Sequence, residues 1–327
     1  MNKLGIFIFF LILSIKTAFA AETANMVKVE NYFSTPLTTV GLIDYPPFSR
    51  YVKNDNMNSN HQLESALLKP TVDVMKKHGI IIVPEEINKD EADLKLLLLD
   101  VRSGKYKLFI GAFANTQLYS GLQMIFPACI GNPIHIITTP ENSHKIKSVD
   151  DLKNLRGVVS KTEQFSDFIA RKISEFGTEY LETPYECYEK LILGEADYML
   201  GGLYYNRMMS SHYGLGSFLS YSQKALFTIP IFIAISKVTP RLSQYMEVFQ
   251  EEFAKPEYAN AVKQEILRIV GEEERKYEGT VPPSFVKHGT EDTEDNFLDV
   301  DEDLVNNGRI VEQKVEKKSI DEVLEGI

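Results

Sequence analysis

Cysteine and histidine are scarce in this sequence of 327 residues. Its two cysteines, Cys129 and Cys187, are too few for the disulfide framework of a small secreted domain. They could pair in an oxidising compartment, or they could be two buried apolar thiols. The six histidines never pair at helical spacing and never flank a cysteine. We therefore expect neither a metal site nor another cofactor.

Long apolar runs are missing from Ala21 onward. The first twenty residues, MNKLGIFIFFLILSIKTAFA, combine a lysine, an apolar run from Leu4 to Ile15 and small residues at Ala18 and Ala20. This pattern is typical of a secretory signal peptide. A membrane anchor is the alternative, but it needs an apolar run of about 20 residues. We expect cleavage after Ala20 and a soluble, exported protein in the periplasm.

An excess of basic residues is also missing, since the net charge is −11. Residues 289–327 contain thirteen acidic and four basic residues, so this tail carries most of the negative charge. A neutral body with an acidic tail lacks the basic face that nucleic acids require. The tail has too few apolar residues to form a core, and we expect it to be disordered.

Signatures of common enzymes are absent as well. The sequence has no G-x-S-x-G nucleophile elbow, no phosphate-binding loop and no Ser-His-Asp arrangement with supporting context. We therefore expect a protein that is not an enzyme.

The chain does contain β-prone runs that alternate with helical patterns. The run TPLTTVGLID predicts a strand ending at Asp44, and a helix is predicted from Leu63 to His78. A second helix over Leu94–Val101 precedes a strand over Tyr106–Ile110. Strands alternating with helices predict a parallel α/β sheet, and the chain length suggests two lobes.

The two halves of the chain share a pattern. In SGKYKLFIGA and LGEADYMLGG, a predicted helix stops at one glycine and a strand runs to another glycine seven residues later. Two equivalent units suggest two similar lobes, although any α/β protein contains several such units. The chain is predicted to cross between lobes near Pro127–Gly131 and Leu226–Ile231. Ser160 and Glu163 have the spacing of a helix capping box.

Aromatic and polar residues follow four predicted strand ends, which lie at Asp44–Tyr45, Gly111–Thr116, Ser160–Thr162 and Gly201–Tyr205. Each group has a structural explanation, because such residues cover core edges and cap helices. Ligands of parallel sheets, however, bind beyond the carboxyl ends of the strands. Together, the four groups predict a cleft between the lobes.

The segments VGLIDYPPF, GAFANTQLYSGLQMIFPA, SVDDLKNLRGVV, GEADYML and IFIAISK occur in this order. In this set the chain resembles periplasmic solute-binding proteins of family 3, over about residues 37–254. The resemblance implies an α/β, two-lobed fold of the periplasmic-binding-protein type (type II) with two hinge crossings. The implied parts are a signal peptide (1–20), a first lobe (21–127 and 231–288), a second lobe (128–230) and the acidic tail (289–327).

The resemblance also implies the ligand site, but two positions depart from it. Where the amino-acid binders of the family have a carboxylate-binding arginine and an amine-binding aspartate, this chain has Leu118 and Gly202. A standard α-amino acid is therefore a poor candidate. Lys161 at a predicted helix N-terminus would favour an anion. The expected ligand-binding residues are Asp44, Tyr45, Phe113, Asn115, Ser160, Lys161, Thr162 and Tyr204.

The leading hypothesis is a monomeric exported protein that captures a small molecule in the interlobe cleft. The ligand would be uncharged or anionic with apolar faces, and the partner would be an ABC-transporter permease or a membrane sensor. One alternative is a lyase or hydrolase on the same scaffold, using a cleft acid such as Asp44. The other is a binding protein that has become an interaction module.

Overall fold

The computed structural model describes Phe33 and residues 35–53, 60–88, 92–113, 118–146, 149–163 and 165–286. The strands are β1 (Leu37–Gly41), β2 (Asp44–Tyr45), β3 (Ser49–Lys53), β4 (His61–Glu64), β5 (Ile82–Pro84), β6 (Leu108–Phe113), β7 (Leu122–Met124), β8 (Ile130–Thr138), β9 (Gly157–Ser160), β10 (Glu179–Leu181), β11 (Tyr198–Gly202), β12 (Ser220–Tyr221) and β13 (Phe227–Ser236). The α-helices are α1 (Leu68–Lys76), α2 (Leu94–Ser103), α3 (Asp167–Ser174), α4 (Pro184–Ile192), α5 (Leu203–His212), α6 (Leu242–Phe253) and α7 (Pro256–Lys276).

The main sheet has the strand order β10-β9-β11-β8-β13-β6-β1-β5. At one end β1 pairs in parallel with β5 and β6, and at the other β9 pairs in parallel with β10 and β11. We call these the first and second halves of the sheet. Between them, β8 and β13 pair antiparallel. The two-lobed α/β class predicted from the sequence is therefore confirmed.

Strand β13 connects the two halves. Its residues 227–231 pair with β8, and from Ile231 to Ile235 it pairs with β6, with a register shift between Phe232 and Ile233. One strand therefore belongs to both halves, near the crossing that the sequence predicted at Leu226–Ile231. The residue boundaries of the lobes stay a prediction.

The repeated helix–glycine–strand unit appears in both halves. Helix α2 begins at the cap Asp93, whose carboxylate accepts from the Lys95 and Leu96 amides, and it ends at Gly104 in a left-handed conformation. Helix α4 begins with a capping box between Thr183 and Glu186. Strands β6 and β11 follow these helices, as the pattern predicts. Strand β6 starts two residues later than predicted, at Leu108.

Three predictions of local structure were wrong. The strand predicted to end at Asp44 ends at Gly41, and Asp44 lies on β2, which pairs with β3 outside the main sheet. The helix predicted from Leu63 starts only at Leu68, because His61–Glu64 pairs with β3 in a small antiparallel sheet. The capping box predicted for Ser160 and Glu163 does not form. Helix α3 is capped instead by Ser166, whose side chain accepts from the Ile169 amide. The Glu163 side chain is buried elsewhere, as shown below.

Two apolar clusters form the core of the described residues. The larger one extends across both halves of the main sheet and contains Cys129, whereas the smaller one contains Cys187. Both thiols are free and buried, so the cysteines do not form a disulfide. After α7 the chain returns to the second half, where Val286 packs in the smaller cluster with Phe285 beside it.

The predicted signal peptide, its cleavage site after Ala20 and the acidic tail lie outside the described residues. Among the helices that are described, none combines the length and apolar character needed to cross a membrane.

Contacts of Phe285 and Val286 predict that this segment contributes to stability. A chain ending at His288 should keep the melting temperature of the full chain, whereas a chain ending at Thr280 should melt lower by about 3–6 °C. The reason is that burying one valine contributes about 1.5 kcal/mol or more, and each kcal/mol shifts the midpoint by roughly 2–4 °C at this size. Calorimetry of both truncated chains checks this, and equal midpoints would contradict it.

Candidate functional site

Aromatic side chains from β2 of the small sheet β2-β3-β4, from the end of β6 and from the start of α5 meet in one place. Tyr45, at the end of β2, stacks on Tyr205 of α5, with ring centroids 4.5 Å apart and an interplanar angle of 15°. The ring of Phe113, at the end of β6, is nearly perpendicular to that of Tyr45, and their centroids are 5.3 Å apart. All three side chains are buried. The structure therefore brings together residues that the sequence placed at separate strand ends.

A polar network crosses between the halves at the same place. The Tyr45 hydroxyl donates to Glu163 Oε2 at 2.6 Å, and Asn132 Nδ2 donates to the Tyr45 hydroxyl oxygen at 3.1 Å. Glu163 Oε1 accepts from the Gly202 amide and from Asn206 Nδ2, each at 2.9 Å. Because Gly202 is the N-cap residue of α5, the carboxylate lies at the start of that helix.

The consecutive glycines at the end of β11 leave room for this network. A Cβ atom at Gly201 would lie 2.4 Å from Asn206 Nδ2 and 2.8 Å from Glu163 Oε1. A Cβ atom at Gly202 would lie 2.8 Å from the Tyr45 hydroxyl and 2.8 Å from Asn132 Nδ2. The space that an aspartate would take at position 202 is thus occupied by Tyr45 and Asn132.

Burial dominates the electrostatics of Glu163. Loss of solvent raises the pKa of its carboxyl group, while hydrogen bonds from Tyr45, Gly202 and Asn206 act in the opposite direction. The pKa of Tyr45 is also raised well above its ordinary value, first by burial and then by the nearby Glu163 charge. The network therefore holds an acidic group whose three hydrogen-bond donors are all neutral.

One further polar atom in the network has no partner. Asn132 is fully buried on β8, and its Oδ1 atom accepts no hydrogen bond from the described residues. An unsatisfied buried acceptor costs about 1–3 kcal/mol, so its presence calls for an explanation.

Of the other residues predicted for the site, two lie apart from this cluster. Lys161 does not stand at a helix N-terminus; it is exposed, and its ammonium group pairs with Glu182. Asp44 is exposed at the start of β2. The hydroxyl groups of Ser160 and Thr162 bond to each other at 2.8 Å, and Ser160 is buried. Thr162 also forms a side-chain hydrogen bond with Tyr205, so the structure connects it to the cluster.

Tyr204 is half-buried, and its ring centroid lies 6.2 Å from that of Phe48. Asn115 lies outside the described residues.

Sequence reasoning missed Glu163, Asn132 and Asn206 as members of the site. The Gly-Gly pair at 201–202 was a signal for close approach, but it did not identify the groups that approach.

The open grooves lie elsewhere on the surface. A groove of about 710 Å³ is lined by residues of β8 and by residues 220–226. Another of about 510 Å³ lies between the end of α4 and Phe285. Neither includes Tyr45 or Glu163, whose side chains are buried and bond to each other. Among the described residues, no group of three or more His, Cys, Asp or Glu side chains could hold a metal ion.

Solved structures with the same architecture are solute-binding proteins. A putative binding component of an ABC transporter from Wolinella succinogenes, complexed with lysine, is 16% identical, covering 72% of this chain and 96% of its own, with a TM-score of 0.54. An amino acid ABC transporter substrate-binding protein from Streptococcus pneumoniae, bound to L-arginine, is 14% identical, covering 73% and 95%, with a TM-score of 0.51. An ancestral arginine-binding protein, bound to arginine, is 16% identical, covering 72% and 99%, with a TM-score of 0.50.

These likenesses define the class of fold. The chain has the two-lobed α/β fold of periplasmic solute-binding proteins, as the resemblance to family 3 implied. In sequence, no family model and no curated protein matches the chain.

The buried carboxyl group gives stability a specific pH dependence. Because folding raises the pKa of Glu163, stability contributed by its protonated form is lost as pH rises through the folded pKa. As pH falls from neutral into the ordinary glutamate range, the wild type should gain stability relative to Glu163→Gln. Urea unfolding of both proteins across this range measures the difference.

A matched control is Glu182→Gln, which removes an exposed carboxylate from the same half of the sheet. Its stability should follow the wild type across the pH range. If the difference between the wild type and Glu163→Gln did not change with pH, the burial of a titrating Glu163 would be contradicted.

Proposed function

We propose that the protein is an exported, non-catalytic solute-binding protein that closes on a small molecule between its lobes. It would act in the periplasm as a monomer and present the ligand to an ABC-transporter permease or a membrane sensor. The observation that carries this proposal is the meeting of Tyr45 and Glu163, from opposite halves, at the carboxyl ends of the strands. Ligands of open α/β sheets bind at this edge.

Closure would bend the two long strands that connect the halves. We place the hinge near Pro127–Gly131 and Leu226–Ile231, with the lobes divided as the sequence predicted. The antiparallel pairing of β8 and β13 through Ile130 and Ile231 supports this placement. Hinge motions are absorbed by a few residues at the ends of such elements.

The ligand is proposed not to be a standard α-amino acid. Leu118 is partly buried against the main core, and its backbone carbonyl, not its side chain, accepts from Arg102. A leucine side chain cannot replace the bidentate contact between arginine and a carboxylate. At Gly202 there is neither a side chain nor room for one. We therefore do not propose arginine or lysine, the ligands bound in structures of similar fold, as ligands of this chain.

The charge expected of the ligand changes with the structure. The sequence suggested an uncharged or anionic ligand because Lys161 was predicted at a helix N-terminus. Lys161 pairs with Glu182 at the surface, and the helix start is occupied by Glu163 instead. An anion would be repelled there. We retain the apolar faces of the proposed ligand and drop the anionic alternative.

One observation favours the interaction module as a second candidate. Side chains of the protein itself contact one another across the junction between the halves, so these contacts hold the halves together. A protein that docks on its partner in this form would need no small molecule. The enzyme alternative is weaker, because the acid named for it, Asp44, is exposed at the cleft margin.

Thermal stability measured against a panel of metabolites tests the proposal. The twenty standard amino acids at millimolar concentration should leave the melting temperature unchanged, whereas a true ligand at 100 times its Kd adds about 2.7 kcal/mol. Native mass spectrometry of the purified protein should show the co-purified ligand. A clear shift with a standard amino acid would contradict the ligand class. If no small molecule bound or co-purified, the interaction module would replace the binding protein.

A further inference from the structure

The strongest unexplained feature of the cleft is the lack of a cation beside Glu163. Its carboxylate is buried, and its hydrogen-bond donors are a tyrosine hydroxyl, a backbone amide and an asparagine amide. No lysine, arginine or histidine of the described residues forms an ion pair with it. Buried carboxylates are normally paired with a cation, because neutral donors compensate only part of the lost hydration.

A second acceptor lies beside the same hydroxyl group. Asn132 Nδ2 donates to the Tyr45 hydroxyl, while Asn132 Oδ1 is buried and unpartnered. The Tyr45 hydroxyl and Asn132 Oδ1 lie 2.8 Å and 3.0 Å from the Cβ position of Gly202, so both atoms surround a place that the Tyr45 hydroxyl itself now fills. A group with several N–H donors placed there would satisfy both Glu163 Oε2 and Asn132 Oδ1, whereas one hydroxyl hydrogen satisfies only the carboxylate.

Aromatic rings lie beside this place. Tyr45 and Tyr205 stack on each other, and the ring of Phe113 is nearly perpendicular to that of Tyr45. Faces of aromatic rings attract ammonium and guanidinium groups, and the attraction grows when water is excluded. Once Tyr45 separates from Tyr205, the ring face that this uncovers and the carboxylate would favour the same ligand charge.

The residues of the site also exclude a ligand carboxylate. Glu163 already accepts from the Gly202 amide at the start of α5, so that donor is not free for an anion. Leu118 offers no charged side chain. A ligand carrying a carboxylate would add a second negative charge next to Glu163 without a partner.

We propose that the cleft binds a small organic cation that bears N–H donors and no carboxylate, such as a primary ammonium or a guanidinium compound. Glu163 neutralises the cation, Asn132 Oδ1 accepts a second N–H, and the Tyr45 hydroxyl holds this place in the ligand-free closed form. The inference rests on the proposed function, since the halves must separate before Tyr45 leaves Glu163.

Calorimetric titration of the full chain with matched probe pairs tests the ligand class. Agmatine and pentylamine should bind, whereas arginine and norleucine, which differ from them by an added carboxylate, should not. Tetramethylammonium, which has no N–H, and neutral pentanol should bind more weakly than pentylamine. Equal binding of pentanol and pentylamine would contradict the proposal that the ligand is a cation. The proposal that the protein binds a small molecule would still stand.

Two variants test the residues. Glu163→Gln should weaken pentylamine binding by about 10- to 100-fold, the loss expected for a charge-assisted hydrogen bond. The control Glu182→Gln removes an exposed charge and should leave affinity unchanged. Tyr45→Phe keeps the ring but removes the competing hydroxyl, so it should bind pentylamine more tightly than the wild type. This gain is not expected if Tyr45 is only structural.

Circular dichroism and melting curves establish that each variant is folded before it is titrated. If Glu163→Gln did not fold, the gain in Tyr45→Phe would still decide the proposal. Unchanged affinity in both variants would overturn the assignment of Glu163. If neither the wild type nor Tyr45→Phe bound any probe, and no small molecule co-purified, the proposed function would fail together with this inference.

Discussion

The hydrogen bond from the Tyr45 hydroxyl to the Glu163 carboxylate joins the small sheet that follows β1 to the second half of the main sheet. Neighbouring features of the chain accommodate it. Gly201 and Gly202 have no side chains, which lets Asn206, Glu163 and Tyr45 approach the end of β11. A hydrogen bond in which the acceptor is charged is stronger than a neutral one, and burial strengthens it further. The junction of the two halves is thus built from the chain's own groups.

The contact between Tyr45 and Glu163 limits which ligands could bind between the halves. In the proposed function, a ligand replaces the Tyr45 hydroxyl and the rings around it must move. Its apparent affinity is then the intrinsic affinity multiplied by the fraction of molecules in which the cleft is open. The ligand recovers this loss only by contacts that Tyr45 does not make. Asn132 Oδ1 and the uncompensated charge of Glu163 offer such contacts. Selectivity and closure therefore depend on the same few atoms.

Much of the fold could be predicted from the sequence, because its signals are local. The helix that ends at Gly104 and the alternation of strands and helices follow from hydrophobic periodicity and from glycines that stop helices. The cleft edge was also predicted, since Tyr45 and Phe113 follow strands whose ends meet. The identity of the central acid was not. Ser160 and Glu163 fit a helix cap by spacing, but tertiary burial drew Glu163 across the interface, and no short-range pattern reports such a contact.

We expect the contact between Tyr45 and Glu163 to hold the two halves together in the absence of ligand. Spin labels on Lys77→Cys and Leu193→Cys, both exposed and on opposite halves, measure the separation of the halves by electron double resonance. The two native thiols are buried and should not take up the label. The account predicts one short distance for the ligand-free protein, with a longer population appearing when Tyr45→Phe is introduced. A long, broad distribution in the ligand-free protein without that substitution would contradict it.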